Sequence, residues 1–132
     1  MKIMIMDGQG GGVGRSLVEE LHTSYPEAEL IAVGTNAAAT ANMMKGGIAQ
    51  GATGENAVVY NSSRADVIVG PIGIVMANAM LGEITPKMAE AVASSGARIL
   101  LIPMSRCNAT VMGVESRKLA DYVREAVEKV GI

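Results

Sequence analysis

Phenylalanine and tryptophan are absent from this chain, cysteine and histidine occur once each, and tyrosine occurs three times. The core must therefore be filled by Val, Ile, Leu, Ala and ten methionines, which suits helices packed tightly on a sheet. A lone Cys107 excludes an internal disulfide and a lone His22 excludes a zinc site of the usual Cys/His kind; a reducing, cytoplasmic setting is expected. Charge is also scarce, at 18% of residues and a net −2. With no basic surface and few aromatic faces for stacking, nucleic acid is not an expected partner. The longest uncharged run, Val67 to Gly82, is broken by Gly70, Pro71, Gly73 and Asn78 and falls short of the roughly 20 residues that span a bilayer. The start carries Lys2 and then Asp7 rather than an apolar leader, so no membrane partner is expected.

Hydrophobic residues and glycine are abundant. At 132 residues and 49% hydrophobic content, residues 1–132 are expected to form a single domain, burying roughly two-thirds of the surface of the unfolded chain. The sixteen glycines are concentrated near the start. The apolar run Ile3 to Met6 ends at Asp7, and Gly8, Gln9, Gly10, Gly11, Gly12, Val13 and Gly14 follow before a helical pattern begins. A strand, a glycine turn and a helix start can set backbone N–H groups and the helix dipole against a phosphate. Glycines that merely let a helix approach its strand are the competing explanation.

After the turn, Val13, Leu17, Val18 and Leu21 share one helical face up to Tyr25-Pro26, with His22 towards solvent. Glu29 to Gly34 is a second strand followed by Thr35-Asn36, and Asn36 is placed to cap a helix over Ala37 to Lys45. A short third strand is expected at the start of Ile48 to Thr53. Within Glu55 to Ser63, Ala57 to Tyr60 could form a strand, but Thr53 as a cap and the crossover that a parallel sheet needs before the buried strand Val67 to Gly70 favour a helix. Pro71 and Gly73 then make a second turn. Ile74 to Leu81 reads as a short apolar helix, and an exposed Met76/Met80 face there would mark a homodimer contact. Thr85 and Pro86 open the next helix, Arg98 to Pro103 is the last core strand, and Ala109 to Val114 an edge strand. A closing helix carries Leu119, Tyr122, Val123, Ala126, Val127 and Val130 as its apolar stripe.

This alternation predicts an α/β fold, a three-layer Rossmann-like domain with a mainly parallel sheet of about five strands. Ligands of such sheets bind beyond the carboxyl ends of the strands. That edge gathers Asp7 to Gly14, Thr35 and Asn36, Gly70 and Pro71, and the Ser105 to Asn108 loop with Arg106 and Asn108 as candidate grips on a phosphate or carboxylate.

Gly8, Gly12 and Gly14 resemble the cofactor turn of short-chain dehydrogenases. The acid expected after the second strand is replaced by Thr35-Asn36, and Tyr60 has Arg64 rather than lysine four residues on. Shifted, Gly11 to Ser16 resembles the end of a P-loop, with Arg15 where lysine is required. A nucleotide or dinucleotide is the expected ligand, its identity open and NAD(P) or another adenine nucleotide among the candidates, with Thr35 and Asn36 near a ribose. An enzyme acting on a small phosphorylated or carboxylated metabolite, with Asp7, Glu83 or Cys107 as the reactive group, is the second reading. A ligand-free module pairing through the segment around Met76 is the third.

Taken together, Asp7 to Gly14, Gly34-Thr35-Asn36, Gly51 to Asn56, Gly70 to Ile74, Leu81 to Pro86 and Arg106-Cys107-Asn108 resemble a small bacterial family known only as a domain of unknown function. The resemblance spans nearly the whole chain. It implies a Rossmann-like fold in a bacterial cytoplasm and supplies no activity.

Overall fold

A computed structural model describes residues 1–103 and 109–132. The sheet has five parallel strands, β1 (Lys2–Asp7), β2 (Glu29–Gly34), β3 (Gly51–Thr53), β4 (Val67–Pro71) and β5 (Arg98–Ile102), in the order β3-β2-β1-β4-β5. Five helices connect and cover them: α1 (Gly12–Ser24), α2 (Ala37–Met44), α3 (Glu55–Ser62), α4 (Pro86–Ala93) and α5 (Leu119–Val130). The sheet grows from β1 towards β3, then restarts on the other side of β1 with β4. The strand order therefore switches between β1 and β4, where parallel α/β sheets leave a crevice at their carboxyl edge.

The central strand shows why both faces are covered. Ile3 and Ile5 point into one apolar layer with Leu17, Val18 and Leu21 of α1 and Val123 and Val127 of α5. Met4 and Met6 point the other way, onto Val58, Ile84, Met88 and Val92. With a period of two along the strand and apolar residues at each position from Ile3 to Met6, β1 is buried on both sides. Met4, Met6 and Met43 are completely buried, unbranched side chains filling the gaps that aromatic rings would otherwise take.

Two of the predicted caps, Asn36 and Thr85, form where the sequence placed them. Asn36 Oδ1 accepts the Ala39 N–H at 2.8 Å and Thr85 Oγ1 the Met88 N–H at 3.1 Å. Other expectations are corrected. The third strand lies at the end of Ile48 to Thr53, because only Gly51 to Thr53 reaches pairing register with Ala32 to Gly34. Gly54 rather than Thr53 precedes α3, while the Thr53 hydroxyl pairs with that of Thr40 at 2.7 Å. Ala109 to Val114 forms no strand; Val111, Met112 and Val114 are exposed, and among the described residues no strand pairs with the outer edge of β5.

Ile74 to Leu81 is not a helix. A single 3-10 turn, Ile72–Val75, gives way to a strap in which Asn78, Met80 and Leu81 all hold positive φ, at 68°, 57° and 56°. The base of the strap is closed by Asn78 N–H to Ile84 O at 2.7 Å and Ile84 N–H to Ala79 O at 3.2 Å. Those bonds replace a helical ladder that this segment, with no polar face, would have had to bury on all sides. Among the described residues no helix is long and apolar enough to cross a membrane.

Candidate functional site

The carboxyl edge assembles the site from the turn outward. Asp7, the last residue of β1, is buried, and its carboxylate turns back on its own loop: Oδ1 accepts the Gly8 N–H at 2.7 Å and Oδ2 the Gly14 N–H at 2.8 Å. Burial pushes its pKa up; the Gly14 and Gly8 N–H groups pull against that rise, and the nearby Glu83 charge adds to it. Asp7 thus serves as the anion for the first turn of α1.

The glycines of the turn divide into two groups. A Cβ on Gly8 would lie 2.6 Å from Met80 Sδ and 2.7 Å from Thr35 Oγ1, one on Gly11 would lie 2.6 Å from Ala39 O, and one on Gly14 would collide with Met43 and come within 2.9 Å of Asp7 Cβ. Gly11 also holds φ at 75°. Packing and backbone shape account for these three. Gly10 and Gly12 are different: both are exposed, neither has positive φ, and a Cβ on either meets nothing within 4 Å.

The N–H groups of Gly10 and Gly12 find no protein acceptor among the described residues. Their directions follow from the planar trans peptide, in which C=O and N–H point opposite ways. Asn36 Nδ2 holds the Gln9 carbonyl at 3.0 Å, so the Gly10 N–H faces away from α2. The Gly11 carbonyl accepts the Arg15 N–H at 2.9 Å, so the Gly12 N–H faces out of the helix. Asn42 steadies the turn, donating to the Gly10 carbonyl at 2.9 Å while accepting from Arg15 at 3.0 Å.

Beside the turn lies a cleft of about 620 Å³ lined by Asp7 to Val13, by Pro71 and Gly73 at the end of β4, and by an apolar wall of Ala79, Met80, Leu81 and Leu119. It opens at the switch in strand order. Two other hollows, of about 530 and 440 Å³, lie along β5 and the 109–117 segment. Pro71 lines the cleft, whereas Gly70 sits against the Met6 carbonyl and serves the approach of β4 to β1. Arg106, Cys107 and Asn108 lie outside the described residues.

Thr35 and Asn36 are engaged by a residue 48 and 47 positions away. Glu83, at the end of the strap, receives on its single Oε1 the Thr35 hydroxyl at 2.6 Å, the Gln9 N–H at 2.8 Å and the Asn36 amide at 2.9 Å. These donors, the Thr35 hydroxyl foremost, hold its pKa below the ordinary value. A carboxylate therefore does stand at the end of β2, but it comes from the far side of the crevice. The strap wall is the part of the site that sequence reasoning missed. Asn78 and Gly82, both turn formers flanking Met80 and Leu81, were the signal against a helix there. Among the described residues no group of three or more His, Cys, Asp or Glu side chains forms a metal-ligand set.

A five-stranded parallel sheet with its cleft at the β1/β4 switch and a glycine turn opening onto it defines a Rossmann-like α/β protein. The chain belongs to the family described as Domain of unknown function (DUF3842), whose model matches residues 2–131. Its fold is similar to that of a solved structure, the dodecameric FMN-dependent Ubix-like decarboxylase from Escherichia coli O157:H7. That likeness has a TM-score of 0.51 at 18% identity and covers 100% of this chain and 77% of the other. No curated protein sequence matches significantly.

Proposed function

We propose that the protein binds a phosphate-bearing small molecule of the nucleotide class. The phosphate rests on the Gly10 and Gly12 N–H groups, and the rest of the ligand lies over Pro71 and Gly73 against Met80, Leu81 and Leu119. The observation that carries this reading is the pair of glycines at 10 and 12, which line the cleft, have N–H groups without a protein acceptor among the described residues, and are required by neither packing nor backbone shape. The backbone strain of the described residues supports it as well, since Gln9, Asn78, Met80 and Leu81, the four non-glycine residues with positive φ, all border this cleft or its strap.

NAD(P) and other adenine nucleotides fit the donor set through their phosphates, and so does FMN, which the fold relative is described as depending on. With Glu83 seated on Thr35 and Asn36, a mononucleotide fits the cleft better than a dinucleotide. The test is a thermal-shift and calorimetric panel of FMN, AMP, ATP, GTP, NAD(P), CoA and FAD on the wild type and on Gly12→Val. Stabilisation of the wild type by a phosphate-bearing member, lost in a variant that melts normally without ligand, is the expected result. No response to any member, or an equal response from Gly12→Val, overturns the reading.

A bacterial cytoplasmic setting and a homo-oligomer complete the proposal. The lone cysteine supports the first. Leu81, 98% exposed at the cleft mouth, supports a second subunit there, which sedimentation of wild type and Leu81→Ser compares directly.

A further inference from the structure

Glu83 Oε1 collects three donors from two separate elements: the Gln9 N–H of the glycine turn, and the Thr35 hydroxyl and Asn36 amide beyond β2. Glu83 Oε2 has no hydrogen-bond partner among the described residues. Three donors converging on one anionic oxygen are the recognition chemistry of a phosphate or carboxylate. The donors are also fixed without Glu83. Asn36 is held by its cap bond to the Ala39 N–H and by the Gln9 carbonyl, and Thr35 by its N–H to the Asp7 carbonyl at 3.1 Å. The group that fills the cradle is less settled, because it ends a strap with three non-glycine residues in the left-handed region, and such residues relax when their anchor is released.

We propose that the Gln9 N–H, the Thr35 hydroxyl and the Asn36 amide form a second anion subsite, occupied from within the chain by Glu83 acting as a latch in place of a ligand's phosphate or carboxylate oxygen. The closed strap ends the cleft at Met80, whose sulfur stands over Gly8. Release of Glu83 lengthens the cleft to the end of β2, so a ligand carrying a second acidic group gains a place for it. The subsite extends the glycine-turn reading towards longer ligands, yet its own donors do not include Gly10 or Gly12.

The experiment is therefore run with the glycine turn blocked. Inorganic phosphate and, separately, acetate are titrated into Gly12→Val and into Gly12→Val/Glu83→Ala at constant ionic strength. Binding is followed by calorimetry, and hydrogen exchange is read at the amides of 78–83 and at Gln9. Loss of the latch is expected to tighten phosphate binding roughly tenfold or more and to protect the Gln9 amide, with Thr35→Val in the same background abolishing the gain. A gain with acetate alone assigns the subsite to carboxylates, and a gain with phosphate assigns it to phosphate. Equal binding with and without Glu83, or a gain that survives Thr35→Val, overturns the subsite. Should Glu83→Ala not fold, Glu83→Gln removes the charge and keeps an acceptor; faster exchange across 78–83 and a smaller gain of the same sign are then expected, and unchanged exchange with unchanged binding overturns the proposal. Failure of the glycine-turn reading alone leaves these outcomes intact, because the turn is blocked in every arm.

Discussion

The Asp7 carboxylate bridges its own turn, taking the Gly8 N–H on one oxygen and the Gly14 N–H on the other. A carboxylate at the lip of an anion-binding turn looks repulsive on paper. Here it points inward and completes the helix start, and the outward-facing N–H groups of Gly10 and Gly12, which have no protein acceptor among the described residues, are left for the proposed phosphate. Asp7→Ala strands two donors in a buried place, at a cost of about 3 kcal/mol, while Asp7→Asn, which keeps one acceptor, costs about half as much. Urea denaturation of the two variants measures the difference; equal losses would mean that Asp7 acts only by filling space.

Asp7 and Glu83 pull stability in opposite directions with pH. The Asp7 pKa is raised from 3.8 by burial, so its contribution is complete below the unfolded value and is lost as pH rises through the folded one. The Glu83 pKa is lowered from 4.5 by its donors, so its contribution is present above that value and is lost as pH falls through the folded one. Wild type should therefore lose stability relative to Asp7→Asn on going from pH 3.8 upward, and relative to Glu83→Gln on going from pH 4.5 downward. Denaturation midpoints across the acid range check both slopes, and slopes of the same sign would contradict the assignment.

The two kinds of glycine separate by mutation. Gly12→Ala meets open space and should change stability by no more than about 0.5 kcal/mol. Gly14→Ala drives a methyl into Met43 and Asp7 and should cost about 1–3 kcal/mol. Thermal melting of both variants suffices, since the prediction is the contrast rather than either value.

Leu81→Gly should stabilise the protein. The side chain is 98% exposed and so contributes little burial, whereas its φ of 56° is a conformation glycine adopts freely. A gain of about 1 kcal/mol in denaturant titration is expected. A loss would show that Leu81 makes a contact, such as one to a second subunit, that the single chain does not contain.

Much of this molecule follows from local pattern. Ile3 to Met6 reads as an apolar strand, Asn36 and Thr85 could be placed as caps, and the glycine run after Asp7 marked the loop that lines the cleft. These readings succeed because hydrophobic period, capping geometry and turn chemistry act over a few residues. Ile74 to Leu81 shows where they stop: its apolar composition suits a helix, but its backbone is set by Ile84 at its base and by Glu83 clasping Thr35 and Asn36 across the crevice.

The sequence by itself determined an α/β chain with a glycine turn after its first strand, because those features are written in neighbouring residues. Only the tertiary structure decided which glycines are crowded and which face open space, since that depends on Met43, Ala39 and Met80 arriving from other elements. It alone decided the β3-β2-β1-β4-β5 order that puts the cleft between β1 and β4. It alone brought Glu83 to the end of β2, a contact spanning 48 positions that no local propensity encodes.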